Sequence, residues 1–122
     1  MSDEFKKMAA VEIGGFKEAY RARFPGRPDV YPVRGQNPAG RAGYSPACER
    51  EWQPGVCGKP AVKCGACPNQ AFRAVTDEVL LDHLRGRLTL GVYPLLADDT
   101  CRFLAVDFDE DDWRTDALAY AR

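Results

Sequence analysis

The sequence lacks any apolar run long enough to span a bilayer, and its start, Met1-Ser2-Asp3-Glu4, lacks the basic-then-apolar order of a secretory signal. These absences argue against a membrane-spanning or exported chain and set the cytoplasm as the expected compartment. Disulfides are rare there, and clustered cysteines more often hold metal. Histidine is almost missing. His83 is the single imidazole, a candidate zinc ligand or phosphate contact and otherwise a structural residue. There is no internal repeat and no low-complexity segment. Apolar residues are not scarce. A hydrophobic content of 45% over 122 residues excludes a disordered tail and suits one modest domain or part of a larger one.

Excess charge is also lacking, but the net −1 hides an asymmetry. Residues 21–73 carry Arg21, Arg23, Arg27, Arg34, Arg41, Arg50, Lys59, Lys63 and Arg73 against Asp29, Glu49 and Glu51. Residues 98–122 reverse the balance, with Arg102, Arg114 and Arg122 against Asp98, Asp99, Asp107, Asp109, Glu110, Asp111, Asp112 and Asp116. A basic half beside an acidic one suits a polyanion held near metal-binding carboxylates. Ordinary surface scatter produces the same counts.

Helical spacing from Phe5 to Phe24 predicts a helix over 3–24, weakened at Gly14-Gly15 and ended by Pro25-Gly26. Val30-Tyr31-Pro32-Val33 reads as a short edge strand, because Pro32 cannot donate to a ladder. Residues 34–73 are rich in Gly, Pro and Cys and too poor in apolar residues to form their own core. Thr76 is the expected N-cap of a short helix, with Asp77 and Glu78 in its first turn and Gly86 after its end. Leu88 to Leu96 and Cys101 to Asp109 read as two strands. The short connection Ala97-Asp98-Asp99-Thr100 makes them a β-hairpin. Trp113 begins a last helix, capped by Asp111 or Asp112.

The most informative stretch is Phe103-Leu-Ala-Val-Asp-Phe-Asp109. In a strand, alternate residues share a face. Asp107 and Asp109 are then expected to point one way, with Leu104, Val106 and Phe108 on the other side. Two like charges in such a setting are costly, and a divalent cation between them is the simplest remedy. That makes the pair a candidate Mg²⁺ or Mn²⁺ site for phosphate chemistry. The same residues also suit a strand end leaving the core, since Glu110, Asp111 and Asp112 follow at once.

Cys48, Cys57, Cys64 and Cys67 are spaced Cys-x8-Cys-x6-Cys-x2-Cys. Cys64-Gly-Ala-Cys67 has the spacing of a zinc knuckle, and four thiolates complete a tetrahedral Zn²⁺ shell. Metal binding would supply the folding free energy that this loop lacks. A redox pair at Cys64 and Cys67, or free cysteines, are the alternatives. Cys101 lies outside the cluster and reads as a small buried hydrophobe.

Several segments occur together and in order: Gly43-Tyr-Ser-Pro-Ala-Cys48, Trp52, Val56-Cys57, Val62-Lys-Cys-Gly-Ala-Cys-Pro-Asn69, Asp82-His-Leu-Arg-Gly86, Gly91-Val-Tyr-Pro-Leu-Leu96 and Cys101 to Glu110. From about Val30 onward this resembles the N-terminal part of archaeo-eukaryotic primase-like domains, of the type found in TOTE conflict systems beside helicase and nuclease modules. The resemblance implies an α+β fold: a partial primase-polymerase domain with an RRM-like antiparallel sheet, flanking helices and a cysteine-rich zinc-binding loop. It divides the chain into an N-terminal helix and linker (1–29) and the N-terminal part of the primase-like domain (30–122). The zinc-binding insertion would span about 43–73 and the first catalytic strand about 101–109.

The resemblance further implies nucleotidyl transfer from nucleoside triphosphates onto a nucleic acid 3′-hydroxyl. Asp107 and Asp109 match the family's first catalytic motif and would bind catalytic Mg²⁺ or Mn²⁺, beside structural Zn²⁺ on the four cysteines. Lys59, Lys63, Arg73, Arg85 and Arg87 are the candidate nucleic-acid contacts, with Tyr44 or Trp52 available for base stacking. The family's later histidine motif and third metal-binding aspartate have no match. His83 precedes the pair, and Asp116 is a poor stand-in. The chain is therefore expected to be a fragment that is poorly active alone, and a primase or polymerase when complete or when a partner supplies the missing strands. A zinc-stabilised nucleic-acid-binding module without enzymatic activity is the alternative.

Overall fold

The structure is a computed structural model and describes residues 15–122. The expected helix before residue 15 lies outside the described residues. Residues 15–23 are helical (α1). A ribbon of β1 (Pro32–Gln36) and β2 (Ala42–Pro46) follows, then a 3₁₀ turn at Cys64–Ala66, α2 (Asp77–Leu84) and α3 (Trp113–Ala121). The fold is a small α+β arrangement with one two-stranded antiparallel sheet. Among the described residues no helix is long and apolar enough to cross a membrane.

β1 begins at Pro32, the strand position where a missing N–H matters least. The ribbon turns at residues 37–41. There the Arg41 N–H donates to Asn37 Oδ1 (2.9 Å), and Gly40 takes φ +79°, a conformation that suits glycine. Pairing then sets Arg34 opposite Tyr44 and Gly35 opposite Gly43.

Residues 28–34 are the hub of the fold. Beyond the ribbon, Ala47 N–H donates to Tyr31 C=O, and Val75 N–H donates to Pro28 C=O, both at 2.9 Å. On the other side Arg34 N–H donates to Thr89 C=O (2.9 Å) and Gly91 N–H to Pro32 C=O (2.8 Å). Arg73 N–H reaches Ala47 C=O (2.9 Å), which ties the end of the cysteine loop to its beginning. These bonds satisfy backbone groups that would be costly to bury unpaired.

The core sits over this hub. Tyr31, Ala47, Leu80 and Leu90 form one buried cluster, with Tyr20, Val33, Val75, Val79 and Leu88 packed against it. Leu80 brings α2 onto the β layer and is fully buried. Burying such a side chain is worth about 1.5–3 kcal/mol. The helix forms where its signals predict. Thr76 Oγ1 accepts from the Val79 N–H (3.3 Å), Asp77 and Glu78 occupy the first turn, and Gly86 follows at φ +75°. His83 is a structural acceptor: the Leu90 N–H points at its Nδ1 (3.3 Å), so the ring ties α2 to the hub.

Three expectations fail. The hairpin of Leu88–Leu96 and Cys101–Asp109 is not formed. Leu90 makes one bridge, to Val33, and residues 101–109 are not a strand. Among the described residues no hydrogen bond involves the backbone of 101–109, and a strand without a ladder partner has nothing to hold it. Of the expected RRM-like sheet, only the β1–β2 ribbon and the bridges beside it are present among the described residues. Conversely, β2 and the end of β1 lie in the 34–73 stretch expected to be irregular.

Leu80→Ala should lower unfolding free energy by about 2–5 kcal/mol in urea titration. Burial also pushes the Tyr31 phenol above its ordinary value. A group raised in this way contributes stability that is fully present below its unfolded value, about 10, and lost as pH rises through the folded value. Melting temperatures recorded from about pH 8 to 11 should therefore fall less steeply in Tyr31→Phe than in the wild type.

Candidate functional site

The loop after β2 gathers its cysteines. Cys48, Cys57, Cys64 and Cys67 line one cavity of about 20 Å³. A water molecule needs roughly 10–15 Å³ on this measure, so the space suits one small ion or water. Cys48 is fixed by a β-bridge to Phe72. Cys64 and Cys67 flank the 3₁₀ turn, where Cys67 N–H donates to Cys64 C=O (3.2 Å). Two further backbone donors face sulfur: the Arg50 N–H on Cys48 Sγ and the Asn69 N–H on Cys67 Sγ, each at 3.4 Å.

All four thiols are free and half-buried. Among the described residues no group of three or more His, Cys, Asp or Glu is disposed to hold a metal ion as it stands. The four thiols line a common space, and zinc binding by the loop is not shown. His83 is not part of this cavity. Cys101 is exposed rather than buried, because the segment that carries it is unpaired.

Asp107 and Asp109 are both exposed on the unpaired segment. The expected split of faces is absent. Leu104 is 74% exposed and Val106 44%, while Phe108 packs edge-on against Tyr120 of α3 at 5.8 Å. Burial therefore places no demand on the two carboxylates. At its start the segment is anchored: Phe103 packs against Phe24 at 6.0 Å. Arg102 lines a cleft of about 570 Å³ with Tyr20, Arg27, Tyr31 and Tyr93. The aspartate pair is not in the wall of that cleft.

Two of the five expected phosphate contacts already have partners. Lys59 donates to Glu51 Oε2 (2.8 Å) and stacks over Trp52, so it is already engaged. Arg87 pairs with Asp82 at 3.1 Å. Lys63, Arg73 and Arg85 are exposed.

One comparison decides the family. The family model described as TOTE conflict system, Archaeo-Eukaryotic Primase domain matches residues 17–122. The chain belongs to this family. No curated protein and no solved structure matches it.

In this archaeo-eukaryotic primase domain, the residues that shape the cysteine loop include several that spacing alone does not reveal. Asn69 Nδ2 donates to Val56 C=O (3.0 Å), and Gln70 Nε2 donates to Cys64 C=O (2.8 Å). Both sit just after the Cys64–Cys67 pair, where a polar run with no periodic partner gives no signal. Lys59 adjoins the thiols as well. Burial pulls its ammonium down, but the Glu51 hydrogen bond and charge, with the Cys64 and Cys57 sulfurs, carry it above the ordinary lysine value. Asn69→Ala should cost the primase domain about 1 kcal/mol of stability. It should also speed limited proteolysis between residues 50 and 70, read by mass spectrometry of the fragments.

Proposed function

We propose that this primase domain takes part in metal-dependent nucleotidyl transfer onto a nucleic acid 3′-hydroxyl, with Asp107 and Asp109 as the cation-binding carboxylates. The observation that carries the reading is the family match, whose span of 17–122 includes Asp107, Asp109 and all four loop cysteines. The donor set fits. Mg²⁺ is commonly held by one or two carboxylates together with substrate phosphates, and needs no larger protein cage. When bound, such an ion makes the attacking hydroxyl more acidic and neutralises charge on the departing pyrophosphate.

The chain's own part is to present the two carboxylates on a common side. That requires the 101–109 backbone to be extended and paired, since only then do alternate residues share a face. Its backbone is unpaired among the described residues. A strand from a partner chain or an adjoining module would complete it, and the domain by itself should be poorly active. Nucleoside triphosphates and nucleic acid are the substrates of this reading, with helicase and nuclease modules as associated partners.

The four cysteines fit structural Zn²⁺. Their number, their thiol chemistry and the single cavity they share suit a tetrahedral site. Residues 48–72 contain no buried residue, so zinc affinity would supply the ordering that hydrophobic burial does not. A zinc-stabilised nucleic-acid-binding module is the second reading, favoured by the exposure of the aspartate pair.

Labelled nucleotide should be incorporated weakly on a primed template in Mg²⁺ or Mn²⁺. Asp107→Ala should lower that incorporation at least about 100-fold, as several kcal/mol of charge stabilisation disappear. Equal incorporation by the variant contradicts the proposal. Salt-sensitive nucleic-acid binding with no incorporation supports the second reading. Metal analysis should find one zinc per chain, lost in Cys64→Ser together with a cooperative thermal transition of the loop.

A further inference from the structure

Trp52, one of the two rings the sequence offers for base stacking, has an unusual backbone. It is an aromatic residue with φ +61°, in the left-handed region that bulky side chains rarely enter. One contact meets the ring, and two more anchor that contact. Lys59 Nζ lies 4.5 Å from the centre of the indole. The same ammonium is ion-paired to Glu51, and Glu51 Oε2 also accepts from Ser45 Oγ on β2 (3.1 Å). The indole is thus tied to the β1–β2 ribbon, yet Trp52 stays 36% exposed.

Beside it runs an open trough of about 240 Å³, lined by Trp52, Lys59, Arg41 and Tyr44 and floored by Gly35 and Gly43. The two glycines face each other across the ribbon, and a Cβ added at either would meet nothing within 4 Å. The trough is smaller than the roughly 300–1,000 Å³ of pockets that enclose small molecules. It suits a flat group laid against the indole. Glu51 is the one acid in its lining and is neutralised by Lys59. Arg41 lines it, Arg34 stands opposite Tyr44 on the ribbon, and neither makes a salt bridge among the described residues. Tyr44 is 59% exposed.

A positive rim around fixed, exposed aromatic rings fits a polyanion with planar apolar faces. We propose that the trough between Trp52 and the β1–β2 ribbon binds single-stranded nucleic acid. A base stacks on the Trp52 indole or the Tyr44 ring, and Arg41 and Arg34 meet the phosphates. Lys59 does not contact phosphate. It clamps the indole, and because it also lines the cysteine cavity it joins the trough to the thiol cluster. The trough's place in nucleotidyl transfer rests on the proposed function. Its binding of a strand does not, because neither Asp107 nor Asp109 lines it.

The test uses the full chain in a Trp113→Phe background, so that Trp52 is the single tryptophan. A thymidine oligonucleotide is added without nucleotides or added Mg²⁺. The strand should quench Trp52 fluorescence. Trp52→Gly accepts the left-handed backbone and should weaken binding about tenfold, followed by anisotropy of a labelled strand. Tyr44→Ala, at an exposed position, should weaken it comparably while the melting temperature holds. Arg41→Ala should reduce the salt slope by about 0.7. Because nucleotides and added Mg²⁺ are absent, the binding read here is separate from the catalytic reading. Unchanged affinity in both Trp52→Gly and Tyr44→Ala overturns the proposal. So does binding confined to duplex, or binding of a proline-rich peptide in place of the strand.

Discussion

One run of backbone, residues 28–36, makes hydrogen bonds to every segment that leads to a site. It pairs with β2, and β2 runs into Cys48 and the cysteine loop. Its Pro28 and Tyr31 carbonyls take the N–H groups of Val75 and Ala47, which bracket that loop. Its other edge holds Thr89 and Gly91, from which the chain continues to the aspartates. Leu80 seals the hub from one side and is fully buried. Anything that loosens the hub moves the thiols, the Trp52 trough and the start of the Asp107–Asp109 segment together.

The two halves of the site stand in opposite conditions. The cysteine loop has no buried residue, but it is dense in polar ties from Asn69, Gln70, Lys59 and Glu51. Such a network fixes a shape without a core, and its thiols share a cavity that an ion would draw shut. The aspartate segment has apolar residues and no hydrogen-bonded ties, only the aromatic contacts of Phe103 and Phe108. Leu104, Val106, Leu118 and Tyr120 are all exposed around it. That combination of open backbone and uncovered apolar side chains is what a strand looks like before its partner arrives.

The sequence was most readable where a signal is local. Thr76, Asp77, Glu78 and Gly86 mark both ends of α2 by chemistry that acts within one turn. The gathering of the four cysteines likewise follows from their spacing. Only the start of β1 is legible, in the edge strand expected over Val30–Val33; Gly35, Gly43 and Pro46 erase the alternation that would announce the rest of the ribbon, although Asn37 to Gly40 carries a turn signal. The 101–109 strand was over-read for the opposite reason. Alternating apolar residues show a capacity to pair and not the presence of a partner. The clamp of Glu51 and Lys59 on Trp52 is invisible to spacing, since it depends on the intervening turns bringing residue 59 back over residue 52.

The proposed function requires Asp107 and Asp109 to grip a divalent cation. Backbone amide NMR in substoichiometric Mn²⁺ tests this most directly, because paramagnetic broadening reports where the ion resides. Broadening should centre on residues 107–109 and vanish in Asp107→Asn and Asp109→Asn, while persisting in Asp111→Asn and Asp112→Asn. Broadening that follows Asp111 and Asp112 instead, or none near the segment, would contradict the assignment of the catalytic carboxylates.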